Sequence, residues 1–573
     1  MILRYLQIFK QRYSKIVISI GLLFIIFGYV GNNLFWGRES PIYFITDSID
    51  NIHWAILYGK LLRNEGLVFH PDLFEILQDK DINNIEFSRV LYYPEYVNLF
   101  KDKILQQKKI NASDILKFHY PPLWFMFLGG LFAVFGLQLW VIYLAQSLLG
   151  AITIWLTYLV AKKIYSPAAG LLSAFALSTL PYFLIMTRQG FLEVMLCPMI
   201  LIGIISVHCI LKYPLKRIYY IFFGLICGVS TLIKSSSLIF IIVFFLVITV
   251  FVDKRKINYL SLFKNFFISS ILMLLIALPW HIYAHESFLY YITAILEKCK
   301  DAHLSNLKDI LVLLPMLKNA MLGVVFFVLF ILGIIRFCIK PKLVMSFLLV
   351  FFICSYIFTL FMPFIIIDRH FSLFLPLPII LICCAIMDLS KFRRWMVFFI
   401  LIFGLIRGYG WLVPKFSQLD TMRYFYYEIT SVNIPNENRI YVTDINSNNL
   451  FSSLAPLPRW QQRAVYAEIK KIPSSYGLRL IRIIDSDKKH ILEKMTLSGA
   501  LSLYSLFEGY PLIEEEPSLN LYKSFQDSIW IFLKSPDINI NFSSMDEEKV
   551  KLKHISEVFL SPTIICDIFL VRK

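Results

Sequence analysis

Two carboxylates, Asp47 and Asp50, lie in residues 46–54, shortly after the first hydrophobic segment ends. From there to Leu62, apolar side chains recur at spacings that suit a helix lying on a membrane surface. On one interpretation, one of these aspartates is a catalytic base at a lipid–water boundary. On the simpler interpretation, both aspartates only start and cap that helix, as aspartates often do. The positions of the other charged residues bear on the choice.

The composition is that of a polytopic membrane protein. Hydrophobic residues make up 58% of the 573 residues, charged residues only 17%, and the mean hydropathy is +0.67. A soluble chain of this length could not hide so much apolar surface. The formal net charge of +17 comes from Lys and Arg clusters between apolar runs, which is the positive-inside pattern. We therefore discount nucleic-acid binding. Most of the nine cysteines lie in apolar runs, with no disulfide framework or CxxC metal pattern.

The order of apolar runs predicts a topology. Basic residues precede a run from about residue 16 to 36, which reads as an uncleaved first span with its N-terminus inside. Residues 37–119 then form a first external loop. Eleven further apolar runs follow, separated by connectors that are alternately basic and nearly uncharged, so that the basic ones should be cytoplasmic. These runs are 120–136, 139–161, 168–187, 191–211, 219–233, 238–252, 266–283, 321–335, 343–367, 371–387 and 395–413.

The run at 120–136 does not fit a simple crossing. It is shorter than the ~20 residues that a spanning helix needs, and Pro121 and Pro122 open it. If it spanned the bilayer, every later basic connector would lie outside. We therefore expect a juxtamembrane or re-entrant helix here, which leaves about eleven true spans.

This topology makes residues 1–414 the transmembrane domain and residues 415–573 an external soluble domain. The external part mixes β-like runs with helical ones, which favours a small α/β domain. Its sequence does not indicate its role, and acceptor binding and packing on the membrane part both stay open. The β-like runs are 439–443, 478–484, 529–533 and 563–571, and the helical ones are 419–430 and 488–496.

The ionisable residues outside the basic connectors fall at the outer ends of the predicted segments. Ionisable groups at membrane depth are costly and normally face a cavity and a function, although any single one could merely snorkel to the interface. As a set they predict a polar cavity that holds both carboxylates and isolated cations. The set is Asp47, Asp50, His119, Arg188, Glu193, Lys234, His281, Asp368, Arg369 and His370.

Glycosyl transfer from a lipid-linked phosphosugar needs both kinds of group. A carboxylate accepts the proton of the acceptor hydroxyl as it attacks the anomeric carbon, and a single displacement through an oxocarbenium-like transition state inverts that centre. Arg or Lys stabilises the departing phosphate best where water is scarce. Arg188, Lys234 and Arg369 suit that role. No nucleotide-sugar site is expected, because nucleotide sugars are cytoplasmic and the cavity faces out.

Several motifs, in order, resemble the integral-membrane GT-C glycosyltransferases, particularly the bacterial protein-mannosyltransferase and aminoarabinose-transferase type. Each motif is weak alone, but six in order over residues 46–380 are fairly specific. They are Asp50-Asn51-Ile52-His53-Trp54-Ala55 with Gly66-Leu67-Val68-Phe69, His119-Tyr120-Pro121-Pro122-Leu123, Leu180-Pro181 to Arg188, Gly224-Leu225 through Leu232-Ile233-Lys234, Leu278-Pro279-Trp280, and Arg369-His370-Phe371 through Leu375-Pro376.

The resemblance implies an inverting transferase that uses a polyprenyl-phosphate-linked sugar, with a juxtamembrane helix at the Pro-Pro-Leu motif. It implies that Asp50 is the base. Asn51 stands where the family usually has a second acidic residue. Asp47 is the reserve, because a three-residue helical offset could bring both aspartates to one site. Arg188, Lys234 and Arg369 would engage the donor phosphate, and the remaining cavity lining would be His119, Glu193, His281 and His370. The carboxylates and histidines could also bind a divalent metal ion, although no spacing enforces it.

The acceptor would be an envelope glycolipid, a polysaccharide or a protein, met on the extracytoplasmic side of the inner or plasma membrane. Two rival functions remain. A transporter or flippase of anionic lipid-linked substrates would use the same cations, but the internal repeats and paired broken helices expected of one are not visible. A non-catalytic envelope scaffold would use the aspartates only as caps.

Overall fold

The computed structural model describes most of the helical part of the chain and five C-terminal strands. The described residues are 2–39, 51–52, 55, 58–59, 62–63, 67–68, 86–87, 109–110, 121–136, 139–188, 190–253, 257–285, 317, 322–339, 343–360, 373–389, 393–410, 477–482, 512–515, 528–534, 551–561 and 564–572.

Helices lie at every apolar run that the sequence singles out. The run at 168–187 is divided in two, because Pro181 begins a new helix after a break at Thr179 and Leu180. The helices are α1 (Ile2–Glu39), α2 (Leu123–Phe135), α3 (Leu139–Ile164), α4 (Pro167–Ser178), α5 (Pro181–Met186), α6 (Glu193–Lys212), α7 (Arg217–Ile233), α8 (Leu238–Phe251), α9 (Tyr259–Tyr283), α10 (Gly323–Ile339), α11 (Leu343–Leu360), α12 (Pro376–Asp388) and α13 (Arg393–Gly410).

Among the described residues, four stretches are long and apolar enough to cross a membrane: Ile16–Phe35, Trp140–Ile164, Glu193–Lys212 and Tyr259–Tyr283. Shorter apolar helices accompany them, and together they make this an integral membrane protein. The total of about eleven spans stays a prediction. Helix α2 has 13 residues, fewer than the ~20 that a crossing requires.

Helices α7 and α9 pack closely because two glycines of α7 face α9. A Cβ atom at Gly224 would lie 2.5 Å from the backbone oxygen of Ser269, and one at Gly228 would lie 2.8 Å from Cβ of Ile276. Small residues four apart allow two membrane helices this close approach. The paired positions advance together along both helices, so α7 and α9 are parallel. Their C-terminal ends therefore lie at the same end of the bundle.

The chain forms two compact units. The first contains Met1–Trp36, His119–Trp124 and Tyr143–Asn433, and the second contains Gly37–Phe118, Phe125–Ile142 and Ile434–Lys573. The second unit thus combines the first loop with the C-terminal region, a grouping that the sequence does not suggest. The division at residues 414 and 415 stays a prediction.

The second unit is built on a mixed sheet. Its strands are β2 (Glu86–Phe87), β4 (Gly477–Arg482), β5 (Leu512–Glu515), β6 (Ser528–Lys534), β7 (Lys551–Ser561) and β8 (Ile564–Arg572), in the order β2-β5-β4-β6-β8-β7; strands β1 (Leu67–Val68) and β3 (Lys109–Ile110) pair separately. Strand β2 of the first loop pairs antiparallel with β5, with Phe87 opposite Ile513.

Strands lie at three of the four predicted positions, and β5 and β7 were not predicted. The fourth predicted strand, 439–443, and the helices at 419–430 and 488–496 lie outside the described residues. Strand β4 runs parallel to β5, which requires a crossover connection, usually a helix. The predicted helix at 488–496 falls between these two strands, so the α/β class stays a prediction with that support.

The segment after the aspartates packs on α2. Asn51, Ile52, Ala55, Tyr58 and Gly59 are buried, a spacing that matches one face of a helix. A Cβ atom at Gly129 of α2 would lie 2.7 Å from the backbone oxygen of Ala55, and the rings of Tyr58 and Phe125 stack at 6.3 Å. Backbone-to-backbone contact through glycines holds this segment against α2.

Candidate functional site

Four of the residues predicted for the cavity are described: Arg188, Glu193, Lys234 and His281. The two candidate bases, Asp47 and Asp50, lie outside the described residues. The same is true of His119, Asp368, Arg369 and His370.

Arg188 lies in the connector between α5 and α6, where its side chain is buried with 2% exposure. Its Nε donates a 2.8 Å hydrogen bond to Oδ1 of Asn33 in α1. The amide nitrogen of Asn33 in turn donates to Oγ1 of Thr187 at 3.3 Å, and that hydroxyl donates to the carbonyl of Phe183. The guanidinium is therefore held by a chain of polar contacts that joins α1 to the connector.

Helix α3 supports the same connector. The Nε2 atom of Gln146 donates a 3.1 Å hydrogen bond to the carbonyl of Phe191. Tyr29 of α1 packs its hydroxyl directly against Gly150 of α3, where a Cβ atom would overlap it. Gly190 has a φ of +75°, a conformation that favours glycine, so the chain can turn here between Arg188 and α6.

Glu193 and Lys234 form a buried ion pair. The Nζ atom of Lys234 lies 2.6 Å from Oε1 of Glu193, and the two side chains are 11% and 2% exposed. Glu193 is the first residue of α6, and Lys234 follows the last residue of α7. Each charge thus lies at the helix end whose dipole favours it. A pair with this burial and length depends on both partners, because losing one leaves an uncompensated buried charge.

Together, the three charged side chains carry one net positive charge at the ends of α5, α6 and α7. His281 lies in the last turn of α9, at the same end of the bundle as Lys234 because α7 and α9 are parallel. This arrangement can attract an anion such as a phosphate ester, and burial makes each charge act more strongly than it would in water.

Arg188, Glu193, Lys234 and His281 are predicted from the sequence, but the residues that hold them in place are not. Asn33, Tyr29 and Gln146 are missed. Asn33 and Gln146 are polar side chains inside apolar runs, and that signal could have found them, since buried polar groups in such runs need a partner. The direct pairing of Glu193 with Lys234, 41 residues apart in the chain, is likewise not visible in the sequence.

Among the described residues, no group of three or more His, Cys, Asp or Glu residues converges in a way that could hold a metal ion. The candidate carboxylates of the first loop are outside that set. A divalent metal ion therefore stays a prediction of the sequence.

Comparison with known proteins gives one family match and several structural ones. Residues 119–283 match the family model described as dolichyl-phosphate-mannose-protein mannosyltransferase. The crystal structure of ArnT from Cupriavidus metallidurans in the apo state has a TM-score of 0.53 and 12% identity, covering 98% of each chain. The structure of ArnT bound to undecaprenyl phosphate has a TM-score of 0.51 and 12% identity, covering 97% of this chain and 98% of that one. No curated protein sequence matches.

Proposed function

We propose that this chain, which has the fold of the GT-C membrane glycosyltransferases, transfers a sugar from a lipid-phosphate-linked donor. The resemblance inferred from its motifs is confirmed by the family match over residues 119–283 and by the fold shared with ArnT. The finer parts of the proposal are a polyprenyl-phosphate donor, inversion at the anomeric carbon, and an extracytoplasmic glycolipid, polysaccharide or protein as acceptor.

The buried charged connector between α5 and α6 carries this proposal. Arg188 and the Glu193–Lys234 pair lie within the family-matched residues, and two of these side chains are almost fully buried. Charges at this depth cost several kcal/mol each unless they are paired, so their presence usually marks a substrate or ion site. One of the two ArnT structures holds undecaprenyl phosphate. We assign the same class of ligand to this chain, with its phosphate near Arg188.

In the proposed reaction, an acceptor hydroxyl attacks the anomeric carbon and passes its proton to Asp50, with Asp47 as the reserve base. A new C–O bond forms as the bond from the sugar to the phosphate oxygen breaks, and the lipid phosphate leaves with the bonding electron pair. Arg188 and Arg369 stabilise that developing negative charge. Because Arg188 is held by Asn33 before the donor binds, it needs little rearrangement during reaction.

Lys234 has a more restricted role than a simple phosphate ligand. Its ammonium group already bonds Glu193 at 2.6 Å, so the pair supplies a fixed dipole at the ends of α6 and α7. We propose that Glu193 keeps Lys234 charged and oriented in a low-dielectric site. His281, together with His119 and His370, would line the remaining cavity wall.

The sheet of the second unit supports the predicted topology. Strand β2 in the first loop pairs with β5 in the C-terminal region, and strands can pair only on one side of a membrane. The chain must therefore cross an even number of times between residues 87 and 512. The predicted crossings in that interval number ten if α2 does not span the membrane, and eleven if it does. This parity supports a non-spanning α2, with the first loop and the C-terminal region on the same side of the membrane, which the predicted topology makes the extracytoplasmic side.

An assay in membrane vesicles with radiolabelled polyprenyl-phosphate sugars tests the proposal. Asp50→Asn should leave folding intact and reduce transfer by at least about a hundredfold, the scale of general base catalysis. Asp102→Asn, in the same loop but in none of the motifs, is the matched control and should keep full activity. Full activity of Asp50→Asn together with loss in Asp47→Asn would move the role of base to Asp47.

The same vesicles separate the rival functions. Movement of the labelled lipid across the bilayer without a labelled acceptor would favour a transporter. If neither transfer nor movement occurs with any donor of this class, the scaffold interpretation gains and the proposed activity is wrong.

A further inference from the structure

The opposite end of α6 carries a second cluster of charges with a different character. Helix α6 has 20 residues and is therefore about 30 Å long, so its last residue lies across the membrane from Glu193. Five cations surround this Lys212 end, and we call them the basic cluster. They are Lys162 and Lys163 in the last turn of α3, Lys212 at the end of α6, Lys216, and Arg217 at the start of α7.

Contacts bring three of these cations, Lys163, Lys212 and Lys216, close to the last turn of α6. The Nζ atom of Lys163 lies 3.4 Å from Sγ of Cys209, which joins the end of α3 to the last turn of α6. The ammonium groups of Lys212 and Lys216 lie 5.2 and 5.1 Å from the centre of the Tyr213 ring. That ring stacks on Tyr219 at 5.9 Å. All five cations are exposed, so they share a surface and not a buried site.

Carboxylates are sparse in the sequence around the basic cluster. Glu193 is the only Asp or Glu between Asp114 and Asp253, and it pairs with Lys234 at the other end of α6. Within the described part of the chain, no carboxylate forms an ion pair with any of the five cations. The positive-inside bias explains why cations occur at this end, but it does not require two of them to lie against a stacked tyrosine pair.

Exposed apolar side chains lie among these cations. Leu215, in the connector that holds Lys216, is 68% exposed, and Ile218, the second residue of α7, is 61% exposed. A surface that alternates cations with apolar and aromatic groups suits the boundary between headgroups and acyl chains. Lysine and arginine at the membrane surface attract anionic lipids.

We propose that the basic cluster binds the phosphate headgroup of an anionic phospholipid in the leaflet at the Lys212 end. The headgroup phosphate would meet Lys163, Lys212 and Lys216, and its acyl chains would lie along Leu215 and Ile218. This site is separate from the donor site by the thickness of the bilayer. It does not depend on the proposed glycosyl transfer.

The test uses the full-length protein, purified in a neutral detergent and titrated with phosphatidylglycerol or with phosphatidylcholine. Bound lipid is counted by native mass spectrometry, and the midpoint of thermal unfolding is measured in parallel. We expect phosphatidylglycerol to bind and to raise the midpoint, with an effect that salt weakens. Phosphatidylcholine should do neither.

For half-saturation, the variant Lys163→Gln/Lys212→Gln/Lys216→Gln should need a phosphatidylglycerol concentration at least about tenfold higher than the parent protein, since each cation strengthens binding a few-fold. The charge-matched control is Lys264→Gln/Arg393→Gln/Arg394→Gln, three exposed cations outside the cluster, and it should bind as the parent protein does. The triple replacement of the same three lysines by arginine should also bind normally, which separates charge from misfolding.

Equal binding by the cluster variant and the parent protein would overturn the proposal. Equal loss in the control would also overturn it, because the effect would then come from net charge alone. If inorganic phosphate at millimolar concentration displaces the lipid completely, the site is a general anion site and the assignment to a phospholipid is wrong.

Discussion

The two ends of α6 hold charge in opposite ways. At the Glu193 end, the charged side chains in the described part of the chain are buried: Arg188 is 2% exposed and Lys234 lies 2.6 Å from Glu193. At the Lys212 end, five cations are exposed with no carboxylate partner in the described part of the chain. Burial raises the desolvation free energy of a charge and strengthens its electrostatic interactions, whereas exposure to water lowers both.

The buried charges are therefore where catalysis is expected, and the exposed cluster is where attachment to lipid is expected. A buried, partnered charge is tolerated because helix dipoles, a counter-charge and hydrogen bonds compensate its desolvation, and such a site can act on a reacting phosphate. An exposed cluster is poorly suited to stabilising a transition state, since water and salt screen its charges. It can, however, concentrate anionic headgroups at one side of the protein.

The largest expected effect tests the buried pair. Glu193→Gln leaves Lys234 buried without its counter-charge and should lower the free energy of unfolding by about 3–5 kcal/mol. Glu193→Gln combined with Lys234→Met removes both charges and should recover most of that loss. Denaturation of the purified variants in detergent measures both. A double variant no more stable than Glu193→Gln would show that the pairing is not what the single change disrupts.

Arg188 should matter more for activity than for the fold. Arg188→Gln should reduce transfer by about 10²–10³-fold, the scale seen when one charge-stabilising donor is removed. Binding of the donor lipid and the thermal midpoint are measured beside the rate. The matched control is Lys264→Gln, an exposed cation on α9, which should change none of these. Normal transfer by Arg188→Gln would remove the arginine from the proposed site.

A smaller effect is expected at a polar contact near the Lys212 end. Asp388 accepts hydrogen bonds from Tyr165 at 3.0 Å and from two nitrogens of Arg336 at 2.9 and 2.6 Å, joining the α3–α4 connector, α10 and α12. Burial and the bond to Asp388 raise the pKa of Tyr165 to about 12, so its hydroxyl stays protonated and able to donate at alkaline pH as well.

Asp388→Asn should therefore lower the free energy of unfolding by about 1–2 kcal/mol, because the groups are partly exposed and water replaces some of the lost bonds. Tyr165→Phe removes only one of the three bonds and should cost less. Denaturation curves for the two variants measure the difference. A larger loss in Tyr165→Phe than in Asp388→Asn would contradict the shared role of the carboxylate.

The smallest effect is predicted for single cations of the basic cluster. Lys216→Ala should shift the thermal midpoint in neutral detergent by about 1 °C or less, since surface substitutions rarely matter to stability. The same variant should show a reduced response to phosphatidylglycerol. A large shift in detergent without added lipid would mean that Lys216 supports the fold, and the contrast between the two ends would be lost.

The sequence by itself determined the membrane class and the helices. Its apolar runs coincide with described helices because hydrophobic length is read directly from composition. The N-caps also depend only on nearby residues. Ser166 accepts a hydrogen bond from the backbone N–H of Ala169 at the start of α4, and Asn258 accepts one from that of Ser261 at the start of α9. Gly224 and Gly228 of α7 also belong to a motif recognised in the sequence. Their close approach to α9 explains why small residues are needed at these positions.

Only the tertiary structure decided which charges meet. Lys234 pairs with Glu193 and Arg188 bonds Asn33 across 41 and 155 residues, and no local pattern encodes such contacts. Strand β2, two residues long, joined a sheet whose other strands lie over 380 residues later, too short a signal for any periodicity to detect. Partners that are distant in the chain are chosen by how whole helices and strands pack, and packing energy is a property of the folded molecule.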